Sequence, residues 1–399
     1  MAAGSAAGGD LHGLLALGVV LAVAAAVAAA GRRVGIPSVP LYVLGGVLVG
    51  PHVAGAVGLP SIAPAEVATL AEVGVVLLLF FLGLEFSIDR LIAARKRLSL
   101  AAAVDLFVNF PVGVVVGFAF GLGPIGAFLL GGIVYISSSA VITKSLVDLG
   151  WIADPEAEPV LGTLVAEDLV IAVYLALAVA LVAGGSPVDA LPRIGIALGF
   201  LFAVAAAAQL LAPRLAPYLG TTDEDLVVRT LAVALVVSGL ALAVGASEAV
   251  AGFFVGVGIG ATPLHDRVAD RIAPLRDAFA VVFFAWIGLN TDPVAVAGVA
   301  VPVAVAAVLS GPAKVISGGI SGRIYGLSPR RSLRTGLALV PRGEFSLIIA
   351  ALAASSPDPT IARVIPAFAV GYVLVMSLAG TLAMSESARI ERLVGIADG

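Results

Sequence analysis

Two adjacent carboxylates, Glu167 and Asp168, lie in the N-terminal half of an almost wholly apolar stretch, residues 160–181. As a helix rising about 1.5 Å per residue, this stretch is long enough to cross the hydrocarbon core of a membrane. An acidic residue near the membrane centre costs roughly 2.5–3.5 kcal/mol, so two neighbouring ones need compensation. Their default chemistry is therefore to bind a cation, a proton, or each in turn.

A lysine in a second apolar run is the expected counterpart of these carboxylates. Lys314 lies too far from either end of its run to reach the membrane surface, so it needs a carboxylate partner, and Glu167 or Asp168 is the obvious candidate. A purely structural ion pair that joins two helices is the alternative. The other buried polar candidates in apolar runs are Glu85, Asp105 and Asn109.

Two further runs contain helix breakers at matching places in the two halves of the chain. The run 124–149 has three consecutive serines at its middle, and the run 331–354 contains Pro341 and Gly343. Proline removes a backbone donor and clashes with the preceding turn, so a helix there should kink or unwind. We therefore predict interruptions near 137–139 and 341–343 that lie close together and face an ion cavity.

The polar residues at these interruptions have functional and structural explanations. Serine hydroxyls and freed carbonyls can coordinate a dehydrated ion, but serines in membrane helices often bond their own backbone or a neighbouring helix. Arg342 and Glu344 can likewise simply neutralise each other. The side chains concerned are Ser137, Ser138, Ser139, Arg342 and Glu344.

Composition places the whole chain in a membrane. Of its 399 residues, 60% are hydrophobic and 12% are charged, whereas soluble domains carry about 25% charged residues. A water-soluble enzyme is therefore excluded. The chain has no cysteine, and none of its three histidines lies deep in an apolar run, so no zinc or iron site is expected.

The apolar runs predict about thirteen membrane segments. With the N-terminus outside and the first segment retained, most of the 22 lysines and arginines fall in inner loops, and only Arg193 and Arg363 lie outside. This asymmetry predicts a cytoplasmic C-terminus. The predicted segments are 11–30, 37–57, 65–88, 98–121, 124–149, 158–184, 191–212, 225–244, 247–261, 272–290, 293–320, 331–354 and 361–386.

A weak internal repeat links the two halves of the chain. The motif at 82–85 recurs at 287–290, about 205 residues later, and the motif at 46–50 has a looser counterpart at 256–260. The copies lie seven segments apart, so the second is inverted relative to the first. Inverted repeats with broken helices are how many secondary transporters build a site at the membrane midplane.

Taken together and in order, these motifs resemble the bacterial monovalent cation:proton antiporters of the broad Kef type, which are related to the sodium/proton antiporters. The resemblance covers essentially the whole chain. The motifs that carry it are GRRVGIPSVPLYVLGGVLVGP, AEVGVVLLLFFLGLEFSIDRL, SSSAVITKSLVDLG, EDL, PLRDAFAVVFFAWIGLNTD and GLSPRRSLRTGLALVPRGEFSLIIA.

The resemblance implies an all-α polytopic membrane fold of about 13 helices, with inverted repeats and two crossed discontinuous helices. Residues 1–399 would form one transporter unit with no soluble domain. The ion-binding core would comprise mainly 65–184 and 272–386, and the dimerisation part mainly 11–57 and 191–261. These two parts would move against each other in an elevator-like cycle.

The resemblance also assigns roles within the site. The essential aspartate of the family maps onto Asp168 and a basic family residue onto Lys314, whereas Glu167 departs from the aspartate, asparagine or glutamine found before that aspartate. Since adjacent helix residues point about 100° apart, we expect Asp168 to face the ion cavity and Glu167 to pair with Lys314. The expected cation and proton ligands are Asp168, Glu167, Ser138, Ser139 and Thr163. The expected charge partners are Lys314, Arg342, Glu344 and Glu85.

The expected function is exchange of a monovalent cation for protons by alternating access, with K⁺ favoured over Na⁺. Na⁺/H⁺ exchange, a passive cation channel, an intramembrane protease and a proton-coupled organic solute carrier are the alternatives. Acidic residues concentrated in one helix argue against a channel pore. We expect no enzymatic activity, no cofactor and no nucleic acid, with Asp168 as the monovalent cation ligand. The expected partners are lipid, a second copy of the chain and a separate cytoplasmic regulatory subunit, in the inner (plasma) membrane.

Overall fold

The computed structural model describes residues 6–33, 38–85, 88–182, 222–244 and 248–396, together with 195–196, 199–200, 203–204, 206–207 and 210. The regular structure of these residues is helical. The α-helices with defined bounds are α1 (Ala6–Arg32), α2 (Ser38–Val49), α3 (Ala68–Glu85), α4 (Ile88–Ala119), α5 (Gly123–Tyr135), α6 (Ser139–Asp148), α7 (Ala157–Val182), α8 (Asp223–Ala243), α9 (Glu248–Gly260), α10 (His265–Leu289), α11 (Pro293–Gly298), α12 (Ala300–Ile324), α13 (Pro329–Ala338), α14 (Glu344–Ala354), α15 (Pro359–Ser385) and α16 (Ser387–Leu393).

The helices match the predicted membrane segments closely. Among the described residues, α1, α4, α7, α8, α10, α12 and α15 are the seven helices long and apolar enough to cross a membrane, and α2, α3, α5, α9 and α14 are shorter apolar helices. Each predicted segment overlaps one of these helices, except 191–212, which lies largely outside the described residues. The multi-helix membrane fold is confirmed, and the total of thirteen stays a prediction.

Helix bounds in the two halves repeat at the predicted spacing of about 205 residues. The series α4, α5, α6 and α7 is followed at this spacing by α12, α13, α14 and α15, and α3 is followed by α10. The correspondence is close at the shorter helices. For example, the first residues of α6 and α14, Ser139 and Glu344, are separated by the repeat spacing. The internal repeat is therefore a property of the fold and not a chance match in a limited amino-acid alphabet.

The described residues divide into two compact units. The first unit draws on Met1–Ala30, Leu41–Ile88 and Ala172–Asn290, and the second on Gly31–Pro40, Asp89–Ile171 and Thr291–Gly399. This grouping follows internal packing and identifies neither a transport core nor a dimer surface. The assignment of those two roles to parts of the chain stays a prediction.

Glycines bring helices of the first unit into backbone contact. A Cβ atom at Gly83 or Gly256 would overlap a backbone carbonyl oxygen where α3 packs on α9, and one at Gly46 or Gly288 would do the same where α2 packs on α10. These four glycines belong to the predicted repeat motifs. The same close packing thus occurs twice in this unit. In each case a helix from the first half of the chain packs on a helix that carries the other repeat motif in the second half.

The second unit is built around interrupted helices. In this unit α13 packs against α12, and α14 packs against α15 and α5. Outside the interrupted region, Arg334 on α13 pairs with Glu156 before α7 and with Glu391 on α16, while Arg330 also pairs with Glu391. These ion pairs fix the C-terminal helix to the first half of an interrupted segment.

Candidate functional site

The two predicted interruptions are present. Helix α5 ends at Tyr135, the next three residues are not helical, and α6 begins at Ser139. Helix α13 ends at Ala338, and the five non-helical residues 339–343 precede α14, which begins at Glu344. Pro341 explains the second interruption, since proline cannot continue a helical hydrogen-bond ladder.

The interruptions also contact each other, as predicted. The backbone N–H of Ser138 donates to the carbonyl of Pro341 at 2.9 Å, and the Ser137 hydroxyl donates to the carbonyl of Leu339 at 3.1 Å. The Ser138 hydroxyl donates to Glu344 Oε2 at 2.6 Å. Backbone groups freed in one segment are thus satisfied by the other, which is required in a region without water.

Arg342 binds the carbonyl ends of two half-helices. Its Nε donates to the carbonyl of Val134 in the last turn of α5 at 3.0 Å, and its Nη1 donates to the carbonyls of Leu339 and Val340 just after α13 at 2.9 and 2.7 Å. A cation stabilises the C-terminal ends of helices, where unpaired carbonyls concentrate negative potential. The guanidinium therefore compensates two helix ends at once.

Glu344 has the complementary position. It is the first residue of α14, where a carboxylate is favourable, and its acceptor contact to Ser138 lies just before the start of α6. Mutual neutralisation of Arg342 and Glu344 was one of the explanations that the sequence left open. Instead, the contacts of Arg342 go to backbone carbonyls, so each charge complements helix ends of the opposite potential.

The predicted pair between Glu167 and Lys314 is confirmed, and a second carboxylate joins it. Lys314 Nζ lies 2.5 Å from Glu167 Oε1 and 2.6 Å from Asp105 Oδ2. All three side chains are at most 1% exposed. We call Asp105, Lys314 and Glu167 the charge cluster.

Hydrogen bonds surround both carboxylates of the charge cluster. Glu167 accepts the Ser137 backbone N–H at 2.5 Å and the Ser137 hydroxyl at 2.9 Å. Asp105 Oδ1 accepts from Asn109 Nδ2 at 2.9 Å and from the Ser317 hydroxyl at 2.8 Å. The charge cluster is thus tied to the first interruption on the Glu167 side and to α4 and α12 on the Asp105 side.

Comparison with known proteins identifies the family. Residues 19–385 match the family described as sodium/hydrogen exchanger, transmembrane. The chain belongs to this family. Its members exchange cations for protons, and the chain is accordingly a multi-pass membrane antiporter of that family.

Two curated relatives of this exchanger cover nearly its whole length. It is 34% identical over 390 residues to the K(+)/H(+) antiporter subunit KhtU of Bacillus subtilis, covering 96% of this chain and 95% of that protein. It is 31% identical over 378 residues to the ammonium/H(+) antiporter subunit AmhT of Alkalihalophilus pseudofirmus, covering 92% of each.

A solved structure has the same fold as this exchanger. The sodium proton antiporter MjNhaP1 from Methanocaldococcus jannaschii superposes with a TM-score of 0.72 at 17% identity, covering 96% of this chain and 98% of that one. This similarity confirms the predicted antiporter fold.

The exchanger's other predicted site residues occupy different surroundings. Asp168 is buried at 5% exposure, one position after Glu167 on α7. The Ser139 hydroxyl is buried and has no hydrogen-bond partner among the described residues. The Thr163 hydroxyl donates to the carbonyl of Pro159 at 2.8 Å and lies 3.3 Å from the Ser321 hydroxyl.

Some of the site could not be assigned from the sequence, and one expected residue remains untested. The side chain of Glu85 lies outside the described residues. Asp105 and Asn109 were candidates only as buried polar residues, and Ser317 was missed. The signal that could have found them is spacing: Asp105 and Asn109 lie four residues apart, as do Ser317 and Ser321 beyond Lys314, which puts polar atoms on one face of each apolar helix.

Proposed function

We propose that this exchanger moves a monovalent cation, K⁺ in preference to Na⁺, against protons, and that Asp168 holds the cation and the proton in turn. The observation that carries the proposal is the burial of two consecutive carboxylates in α7, one of them bonded to the crossing of two interrupted helices. Family membership supports the reaction class.

One carboxylate that holds either a proton or a bare cation, but not both, couples the two fluxes by competition. Burial disfavours an empty, ionised carboxylate, so each reorientation of the site carries one ligand or the other. Because Lys314 is engaged by Glu167 and Asp105, the neighbouring Asp168 is the carboxylate to which we assign the transported ion.

Neutral oxygen atoms complete the proposed cation site. Hydroxyls and freed carbonyls replace the hydration shell of an ion in such sites. The unbonded hydroxyl of Ser139, the first residue of α6, supports its role as a ligand, and Ser138 is the last residue of the interruption before it. The hydroxyls of Thr163 and Ser138 both donate their protons to other groups and retain oxygen lone pairs that can bind a cation.

The preference for K⁺ is supported by the cargo named for the relatives. KhtU is named as a K(+)/H(+) antiporter subunit and AmhT as an ammonium/H(+) antiporter subunit. K⁺ and ammonium are monovalent cations of similar size, so one cavity suits both. Na⁺ is the competing cargo.

The proposal extends to assembly and membrane placement. The exchanger works as a homodimer in the plasma membrane, with its N-terminus outside and its C-terminus in the cytoplasm. Its core, mainly 65–184 and 272–386, moves against the part formed mainly by 11–57 and 191–261. The word subunit in both relatives' names supports a separate regulatory protein. The exchange requires no chemical conversion and no cofactor.

Reconstitution tests the function. The purified protein is placed in vesicles that contain a pH-sensitive dye, and each alkali cation is added in turn. K⁺ should move protons more strongly than Na⁺, and Asp168→Asn should abolish the response at every pH. Asp270→Asn, at an exposed position of α10, is the matched control.

Three results would contradict parts of this account. Cation-dependent proton movement by Asp168→Asn would remove its assigned role, and complete inactivity of Glu167→Gln alone would transfer that role to Glu167. A stronger response to Na⁺ would overturn only the preference for K⁺.

A further inference from the structure

The charge cluster contains one carboxylate more than its lysine can neutralise. Lys314 Nζ contacts Asp105 and Glu167 at 2.6 and 2.5 Å, and all three groups are buried. With every group ionised, the cluster has one excess negative charge. An uncompensated buried charge is costly, so the cluster favours one further positive charge, for which a proton is the smallest carrier.

We propose that Asp105 is the fixed counter-ion of Lys314, a positioning residue that keeps the ammonium charged whether Glu167 is ionised or protonated. This rests on the proposed function, because it concerns proton uptake at the same site. With Asp105 present, a proton on Glu167 leaves a neutral pair of Lys314 and Asp105. Without Asp105, the same proton would leave the buried ammonium unpaired.

The contacts of the two carboxylates distinguish their roles. Asp105 is held by Asn109 from its own helix and by Ser317 and Lys314 from α12, and both helices are continuous through these positions. Glu167 is bonded by Ser137 in the first interruption. The partners of Asp105 therefore lie on continuous helices. Glu167, in contrast, contacts the interrupted segment, whose backbone groups are not engaged in helical hydrogen bonds.

Titratable groups of α5, α7 and α15 also lie around the charge cluster. Tyr135 of α5 places its ring 5.2 Å from Lys314 Nζ, and its buried hydroxyl has no hydrogen-bond partner among the described residues. On α15, Tyr372 is bonded to Ser310. Asp168 follows Glu167 on α7. The carboxylates that form salt bridges with the Lys314 ammonium are those of Asp105 and Glu167.

The repeat supplies an uncharged counterpart of this arrangement. Ser310 and Tyr372 follow Asp105 and Glu167 at the repeat spacing of about 205 residues, and their hydroxyls lie 2.6 Å apart. The fold thus joins the corresponding helices there by a neutral hydrogen bond. The charges of Asp105 and Glu167 are therefore not a requirement of helix packing, and Tyr372→Phe is a matched control for loss of a buried contact.

Cation-dependent proton exchange as a function of pH tests the role of Asp105. Asp105→Asn removes a buried negative charge near Glu167 and the neighbouring Asp168, so a proton on either carboxylate is less favourable, and the pH of half-maximal K⁺-dependent exchange should fall by about one unit, a tenfold change in proton concentration. Asp105→Glu should restore the midpoint, and Tyr372→Phe should leave it unchanged. An unchanged midpoint in Asp105→Asn, or an equal shift in Tyr372→Phe, would overturn the proposal.

Melting temperatures of the purified variants provide a test that does not require transport. Asp105→Asn and Glu167→Gln each leave Lys314 one carboxylate, whereas the double variant leaves none. The double variant should therefore lose more than the sum of the two single losses, and additive losses would overturn the proposal. If the unmodified chain exchanges no alkali cation, the proposed function fails, and the melting comparison still decides the role of Asp105.

Discussion

The two compact units share close backbone packing at glycines and differ in the contacts that are added to it. In the first unit, glycines of α3 and α9 bring backbones into contact beside an apolar cluster that includes Leu77 and Phe80. In the second unit, Gly336 of α13 also lies against the backbone of α12, and half-helix ends, charged side chains and the buried charge cluster make further contacts. The stability of backbone packing depends on the shapes of the helices, whereas the stability of a buried charge cluster depends on how many protons its groups hold. We therefore expect proton binding to depend on the charge cluster of the second unit.

The largest effect should come from removing the lysine of the charge cluster. Lys314→Met leaves Asp105 and Glu167 buried without a cation, which should destabilise the protein by about 3–5 kcal/mol. Thermal melting in detergent measures the loss. Lys96→Met, at an exposed position of α4, is the control and should melt close to the unmodified protein. Equal melting of the two variants would contradict the dependence of the second unit on charge.

A smaller effect should follow from adding one methyl group to the first unit. Gly256→Ala places a Cβ against the backbone of α3, which should cost about 1–3 kcal/mol. Gly239→Ala is the control, because a Cβ on that glycine of α8 meets no atom within 4 Å. The pH midpoint of exchange should be the same in both variants. A shifted midpoint in Gly256→Ala would show that packing in the first unit also controls protons.

The smallest effect concerns the ion pairs that attach α16. Burial by itself raises the pKa of Glu391, but hydrogen bonds from Arg334 and Arg330 outweigh it and hold the pKa below its ordinary value of 4.5. The stabilisation is therefore complete above pH 4.5 and is lost as pH falls through the lowered pKa. Because Arg330 is 43% exposed, we expect only about 1 kcal/mol.

Glu391→Gln tests this contribution. The difference in melting temperature between the variant and the unmodified protein should be present at pH 7 and should shrink in acid below the ordinary pKa of a glutamate. A difference that grows on acidification would have the wrong sign for an ionised Glu391 and would exclude these ion pairs as its source.

Much of the site could be predicted because its signals are local. Pro341 with Gly343 two residues later is a local signal for a helix break, and a buried lysine requires a carboxylate, so the second interruption and the pair of Glu167 with Lys314 were predictable. Which of two adjacent carboxylates meets the lysine followed from the angle between helix neighbours and from the family resemblance.

The remaining contacts had no local signal. The partners of Arg342 are backbone carbonyls, which every residue has, so their identity depends on where two chain segments meet. Asp105 could be placed on one face of an apolar helix, but the sequence alone does not predict which helix packs against that face. Because Asp105 also pairs with Lys314, replacing Glu167 and Lys314 together by glutamine would still leave one carboxylate buried without a cation.

Proton release on cation binding tests the central claim most directly. K⁺ is added to purified protein in a weakly buffered solution that contains a pH indicator, and proton release is compared with K⁺ bound. The unmodified protein and Asp270→Asn should release protons as K⁺ binds, whereas Asp168→Asn should release none. Release of protons by Asp168→Asn, or K⁺ binding to the unmodified protein without any proton release, would contradict competition for the Asp168 carboxylate.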